Sequence, residues 1–370
     1  MYKERITKLK NIISSQNIDA LFITNFYNIS YFTGFTTLVP HEREAFVMVT
    51  KNNIYVMSDG RYHDNFQFSI YNLQSRFKSS IFKLLTPEKG LIKHLQEIVA
   101  EEKIHKLGFE KEDLKWSEYD LLKNKLNVGM IPLDRAGVKI RAVKEKDEIK
   151  KIKKACEIGD SCLSDIAKTI KVGESEKEIA WKIERWIREA GHEVGFDPIV
   201  AVDGNAAIPH YDTKNGNGRI KCDSIVLIDM GVNYQGYNSD ITRMFFMGEQ
   251  PDEIVNAYRV LLDAQTKTIQ HISQVKKLSD IDTFCRREVI HYTLPVKSYP
   301  HSTGHGVGLE VHEYPKISAS SDDTLQPGQV FTIEPGIYTL GKWGMRIEDT
   351  IAVLPGLVPE VLTRYPKELE

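Results

Sequence analysis

The sequence predicts a two-domain chain: an α/β domain over residues 1–133, a linker at 134–142, and an α+β domain over 143–370 whose halves are related by a pseudo-twofold axis. Three observations lead there. At 370 residues the chain exceeds what one compact core usually serves. Its first third alternates short helical and strand patterns. Beyond that, the order helix, helix, hairpin occurs twice, although the two halves are not obviously alike residue by residue.

In the first domain Ile6, Leu9, Ile12 and Ile13 recur at helical spacing, and apolar runs at 20–23, 45–49 and 54–57 read as strands. Leu91, Leu95, Ile98 and Val99 mark a second helix, and 106–110 a further strand. Nothing in this domain clusters catalytic side chains. The boundary falls at 132–141, where an apolar run gives way to the charged stretch 144–154.

The second domain opens on a long amphipathic helix, with Ile149, Ile152, Cys156, Gly159, Leu163, Ile166 and Ile170 stepping by three and four. Ser175 and Glu178 have the spacing of a capping box, and the helix they start carries Ile179, Ile183, Trp186 and Ile187 before stopping at Gly191. Strands follow at 224–231 and 240–247. The plan then repeats: Pro251 starts a helix through Val255, Tyr258, Leu262 and Ile269, Ser279 caps another running to Tyr292, and strands follow at 330–338 and 345–354.

The strand 224–229 is apolar on both faces, which predicts a doubly covered central strand. It ends in Asp229, a carboxylate whose burial costs several kcal/mol unless it is compensated. The next strand begins with Asp240, and a turn within 233–236 sets the two aspartates opposite each other, Cβ atoms roughly 5 Å apart. The second hairpin repeats this with glutamates: Glu334 ends an apolar run, Glu348 lies in the returning strand, and their midpoint is Gly341. Four converging acids suit two divalent cations with oxygen ligands. His305, among the glycines of 304–308, can add a nitrogen ligand, and those glycines let backbone approach what it binds. Taken singly, each part has a plainer reading: an aspartate in a hairpin is commonly a turn residue, a strand glutamate commonly faces water, and a histidine is commonly just hydrogen-bonded. Two symmetric pairs are harder to dismiss.

Lysine and arginine total 49 against 51 acids, a balance that argues against nucleic acid or an anionic membrane as partner. The charged stretch 1–10 lacks the apolar core of a signal peptide, and no run is long enough to span a bilayer. Four cysteines without a CxxC pair read as reduced thiols, and so as a cytoplasmic protein.

The segments Ile228-Asp229-Met230-Gly231, Ser239-Asp240-Ile241-Thr242-Arg243, Thr303-Gly304-His305-Gly306-Val307-Gly308, Ile333-Glu334-Pro335-Gly336 and Arg346-Ile347-Glu348-Asp349 together resemble the pita-bread metallopeptidases, in particular the aminopeptidase P and prolidase branch. The amino-terminal part, with Asn28 to Phe35 and Ser58 to Tyr62, is similar to the creatinase-like domain of that branch, which helps to build a homodimer. The resemblance implies that Asp229 and Asp240 bind one metal and His305, Glu334 and Glu348 complete the second, with Asp240 and Glu348 bridging. It implies a metal-bridging hydroxide as nucleophile and Glu334 as proton acceptor. His210, His301 and His312 match positions that bind substrate and stabilise the tetrahedral intermediate, with His301 and His312 counted among the catalytic groups, and Tyr338 and Arg346 match positions in the substrate pocket and just behind the ligands. The implied cofactors are two divalent metals, Mn foremost, with Co or Zn as alternatives.

The substrates implied are peptides with proline second, cleaved at the Xaa-Pro bond by an Xaa-Pro aminopeptidase. A prolidase, cutting Xaa-Pro dipeptides, is the alternative, and a pita-bread module that binds peptides or proteins without cleaving them is a more distant one. Methionine aminopeptidases share the five ligands but normally lack the large first domain, and creatinase has lost the ligands kept here.

Overall fold

Apolar residues at strand spacing assemble into a mixed six-stranded sheet in the amino-terminal unit, Met1–Arg141. The computed structural model describes residues 2–35, 42–67, 82–291 and 299–367. The sheet runs β4-β3-β2-β1-β5-β6, with β1 (Ala20–Ile23), β2 (Ala45–Thr50), β3 (Ile54–Ser58), β4 (Phe82–Leu85), β5 (Lys106–Glu110) and β6 (Gly129–Leu133). Helices α1 (Tyr2–Ser15), α2 (Phe26–Thr33), α3 (Leu91–Glu101) and α4 (Trp116–Lys125) accompany it. Leu95 and Ile98 of α3 and Leu122 of α4 pack on Phe22, Met48 and Leu107 of the sheet. The stretch read as a linker contains a short helix, α5 (Ala136–Ala142).

The carboxyl-terminal unit, Ala142–Glu370, follows the repeated plan. Helices α6 (Lys146–Ala167) and α7 (Glu176–Glu189) precede β7 (Glu193–Val194), β8 (Ile199–Val202), β9 (Ile225–Met230), β10 (Val232–Tyr234), β11 (Tyr237–Asn238) and β12 (Ile241–Phe246). Helices α8 (Asp252–His271) and α9 (Leu278–His291) precede β13 (Gly304–Gly306), β14 (Glu313–Ile317), β15 (Val330–Ile333), β16 (Gly336–Thr339), β17 (Trp343–Arg346), β18 (Asp349–Leu354) and β19 (Val358–Val361). The main sheets are β12-β9-β8 and β14-β13-β15-β18-β19, antiparallel throughout. The Ser175–Glu178 capping box is formed, each side chain bonding the other's backbone N–H. Ser279, by contrast, lies inside α9 rather than capping it, because the helix already starts at Leu278. Tyr292 lies outside the described residues. Among the described residues no helix is long and apolar enough to cross a membrane.

Strand alternation decides where the acids point. Val226, Ile228 and Met230 of β9 pack on Leu163, Ile179 and Ile183 of the first helix pair. Ile225 and Leu227 face the other way, against Leu261, Ile337 and Met345 of the second half. Asp229 shares their face. In the second hairpin Phe331, Ile333, Ile351 and Val353 pack on Ile269 and Ile281 of the second helix pair. Val330 and Ala352 face Ile152 and Cys156 of the first half. Glu334 and Glu348 have that second parity. Each half therefore turns its acids toward the other.

The registers meet the expectation in one hairpin and depart from it in the other. Ile333 pairs with Asp349 and Gly336 with Arg346, so Glu334 stands opposite Glu348 about a turn centred on Gly341, whose φ is 74°. In the first hairpin Asp229 pairs with Thr242, not Asp240. The turn residues are Gln235 and Gly236, with φ of 51° and 84°, which centres the hairpin one residue later than the sequence suggests. Moving the centre by one residue shifts the pairing by two, so both aspartates keep the same face and become diagonal neighbours.

Candidate active site

Thr242 and Glu348 join the hairpins. They form an isolated antiparallel bridge, with the Glu348 N–H donating to the Thr242 carbonyl at 3.2 Å and the Thr242 hydroxyl donating to Glu348 Oε2 at 2.7 Å. Behind them Arg243, almost wholly buried, donates to the Glu348 carbonyl and pairs with Asp349 at 2.7 Å. Asp349 also accepts from Gln265, Thr363 and Lys367. Although burial opposes it, the charges of Arg243 and Lys367, with the hydrogen bonds from Lys367 and Gln265, hold its carboxyl far below the usual range. A fully bonded buried pair of this kind fixes the backbone on which Glu348 sits.

The cavity at this junction, about 440 Å³, is lined by Asp229, Asp240, His305, Glu334, Glu348, His210, His301, His312 and Arg346. All the residues singled out from the sequence thus meet in one place except Tyr338, which stands behind the wall and bonds His301 and Arg346. Asp229, Asp240 and Glu348 bring one carboxylate oxygen each to within 4.8 Å of one another, and His305, Glu334 and Glu348 do the same with their own donor atoms. Glu348 belongs to both trios. His312, at the exposed rim, completes a third with Asp240 and His305.

The donor set fits divalent cations. Oδ1 of Asp229 and Oδ1 of Asp240 are buried without a hydrogen-bond partner among the described residues, which is costly unless a cation meets them. Burial, and then Glu348 and Asp229, push the Asp240 carboxyl well above its ordinary range. Burial and then Glu334 and Asp229 do the same to Glu348, and burial raises Glu334. Burial lowers His305 to about 4, so its ring is neutral. The ring's Nδ1 lies 3.1 Å from the Gly306 carbonyl, which can only accept. That assigns the proton to Nδ1 and leaves the Nε2 lone pair facing Glu334 and Asp240 at 3.3 and 3.6 Å.

Other roles differ from the sequence reading in detail. Arg346, expected in the pocket or just behind the ligands, gives Nε to Thr242, one terminal nitrogen to Pro209 and Tyr338, and the other to Asp229 Oδ2. It thereby occupies one aspartate oxygen and leaves the other turned to the site. His301 donates from Nδ1 to the Ser302 carbonyl at 2.8 Å, so its Nε2 accepts from the Tyr338 hydroxyl, also at 2.8 Å. The glycines around His305 serve strand packing: a Cβ at Gly304 would lie 1.9 Å from the Thr332 carbonyl oxygen, and one at Gly306 2.5 Å from that of Tyr314.

Sequence reasoning missed Thr242, Thr332 and Lys316. Thr332 accepts from the His305 N–H and donates to Glu334 Oε1 at 3.2 Å. Lys316 pairs with His305 across β13 and β14, lines the cavity, and has no ion-pair or hydrogen-bond partner among the described residues. Only the alternation of β14, counted from His305, could have revealed it.

This fold and site are those of a metallopeptidase. Residues 150–355 match metallopeptidase family M24, and residues 5–143 match the creatinase/prolidase N-terminal domain. The chain belongs to family M24, as its five motifs indicate, and is a metallopeptidase that works with divalent metal ions. It is 35% identical to an uncharacterized peptidase of Staphylococcus aureus, over 98% of this chain and 99% of that one. Among solved structures, an Xaa-Pro dipeptidase from Bacillus anthracis superposes with a TM-score of 0.89 at 32% identity, covering 100% of this chain and 99% of the other. An X-Pro aminopeptidase from Thermotoga maritima MSB8 gives 0.81 at 30% identity, covering 95% and 97%.

Proposed function

We propose that the chain is an Xaa-Pro exopeptidase whose site holds two divalent ions, one between Asp229 and Asp240 and one among His305, Glu334 and Glu348, with Asp240 and Glu348 shared. The observation that carries this is the pair of orphaned aspartate oxygens facing a neutral histidine and two glutamates. Bound there, such ions supply Lewis acidity that activates water near neutral pH and polarises the scissile carbonyl. Manganese suits the oxygen-rich set, with cobalt or zinc as alternatives.

The protein's own groups carry the protons. Glu334 Oε1 is engaged by Thr332, and Oε2, 4.0 Å from His301 Nδ1, is the atom placed to take a proton from the attacking water. His301, His312 and His210 orient the peptide, and His312 meets the charge that develops on its carbonyl oxygen, while His301, with Nδ1 on the Ser302 carbonyl and Nε2 on the Tyr338 hydroxyl, acts through the position of its ring. An Xaa-Pro bond offers no N–H to anchor it, and its leaving nitrogen, like that of any amide, must gain a proton, which Glu334 returns. The same reading gives 1–133 to a creatinase-like domain that helps to form a homodimer, 134–142 to a linker and 143–370 to catalysis, in a reducing cytoplasm.

Two readings differ in substrate length. The sequence inclines to an aminopeptidase acting on longer peptides. Lys316 favours a dipeptidase, because a free cation on the cavity wall suits a prolyl carboxylate. Release of free amino acid from Xaa-Pro and from Xaa-Pro-Yaa, measured with Mn present, tests both. Hydrolysis of neither overturns the proposal.

A further inference from the structure

Asp282 and Arg286 lie one turn apart on α9, joined by an ion pair from Nε to Oδ2 at 2.8 Å. Both reach from the helix to the same stretch of chain, residues 299–303, which belongs to no strand and carries His301 to the cavity. One terminal nitrogen of Arg286 donates to the Tyr299 carbonyl at 3.0 Å and the other to the His301 carbonyl. The guanidinium also lies over the Tyr299 ring, 4.5 Å from its centroid. Asp282, wholly buried, accepts on Oδ1 from the Thr303 N–H at 3.0 Å and from its hydroxyl at 2.8 Å.

A strand would give the Tyr299 and His301 carbonyls ladder partners; here the forked guanidinium of Arg286 takes that place. Its planar geometry spans two acceptors at once, which a lysine amine could not hold in the same way. The effect extends to Glu334, whose N–H donates to the Thr303 carbonyl at 2.8 Å. One charged pair on a helix thus fixes the backbone under His301 and next to Glu334, while neither member lines the cavity.

We propose that Asp282 and Arg286 are positioning residues for His301, holding its backbone so that the ring keeps its bond to Tyr338 and its place on the cavity wall. The inference rests on the proposed role of His301 in turnover. Arg286→Ala should lower kcat about ten- to a hundredfold, with KM and bound Mn nearly unchanged, as misplacement without loss of a contact predicts. Arg286→Lys should recover part of the rate. In a His301→Ala background the Arg286 change should cost little more, because a residue acting through another is not additive with it. The ring resonances of His301, assigned by NMR from its loss in His301→Ala, should move in Arg286→Ala.

An unmoved His301 resonance, or an equal loss of rate in both backgrounds, overturns the inference. Normal turnover by His301→Ala alone overturns the functional reading instead, and the resonance then still decides whether Arg286 positions the ring.

Discussion

The Thr242 hydroxyl donates to Glu348 Oε2 at 2.7 Å, a contact that ties a side chain of one acid-bearing hairpin directly to an acid of the other. The same hydroxyl accepts from Arg346 Nε at 3.1 Å, so it orients a carboxylate and the guanidinium that holds Asp229. Thr242→Val keeps the shape and removes the hydroxyl. A lost hydrogen bond to a charged group is worth about 1.5–3 kcal/mol, so Mn affinity should fall by about ten- to a hundredfold. Calorimetric titration of the metal-free variant with Mn measures it.

The three raised carboxyls should lower the stability of the metal-free protein as pH rises from about 4, where unfolded carboxyls titrate, through their folded values. Above about pH 6.5 no lowered histidine offsets them. Asp240, Glu334 and Glu348 are raised in the folded state, so there the native form binds more protons than the unfolded one, and the slope of unfolding free energy against pH is negative. His305, lowered to about 4, acts with the opposite sign, but only between there and about pH 6.5, where an unfolded imidazole titrates. Saturating Mn should remove the decline. Thermal melts from pH 6.5 to 8.5, with chelator and with Mn, measure the effect.

Lys316→Ala separates the two substrate lengths. If its amine meets a prolyl carboxylate, KM for Xaa-Pro rises about tenfold or more while Xaa-Pro-Yaa is little affected, the loss expected of one charge-assisted contact. Equal effects on both substrates would remove Lys316 as a length sensor.

His312→Ala should slow turnover about tenfold or more, in the range of a lost general acid or oxyanion donor, and leave both metals bound. His312 shares a possible ligand trio with Asp240 and His305, so the metal content of the purified variant is the deciding number. Loss of one ion would move His312 into the ligand set.

The architecture was legible where one residue's neighbours in sequence decide its environment. Gly341, at the symmetrical centre of its hairpin, reported the register that sets Glu334 against Glu348. The first hairpin was misjudged by one residue because Gln235-Gly236 is not a common type I′ pair, yet strand parity kept Asp229 and Asp240 on one face. Helix α2 escaped notice because its aromatic-rich sequence lacks helical periodicity, while its start depends on Asn25 accepting from the Asn28 N–H.

Contacts between distant segments were the part that could not be read. Thr242 stood within a quoted motif, but its partner Glu348 lies 106 residues away. Arg243 and Asp349 form a buried pair at the same remove, and nothing in either local sequence marks them as partners. Arg346 was placed in the pocket or just behind the ligands by resemblance alone, and its own partners could not be read from the sequence. Its donors are committed to Thr242, Pro209, Tyr338 and Asp229, which makes it a brace for the site.

An anomalous difference map from crystals equilibrated with manganese puts the central claim to the most direct test. Two peaks are predicted, one touching Asp229 and Asp240 and the other touching His305 and Glu334, with Glu348 reaching both. A single peak, or manganese bound away from these five side chains, would contradict the account.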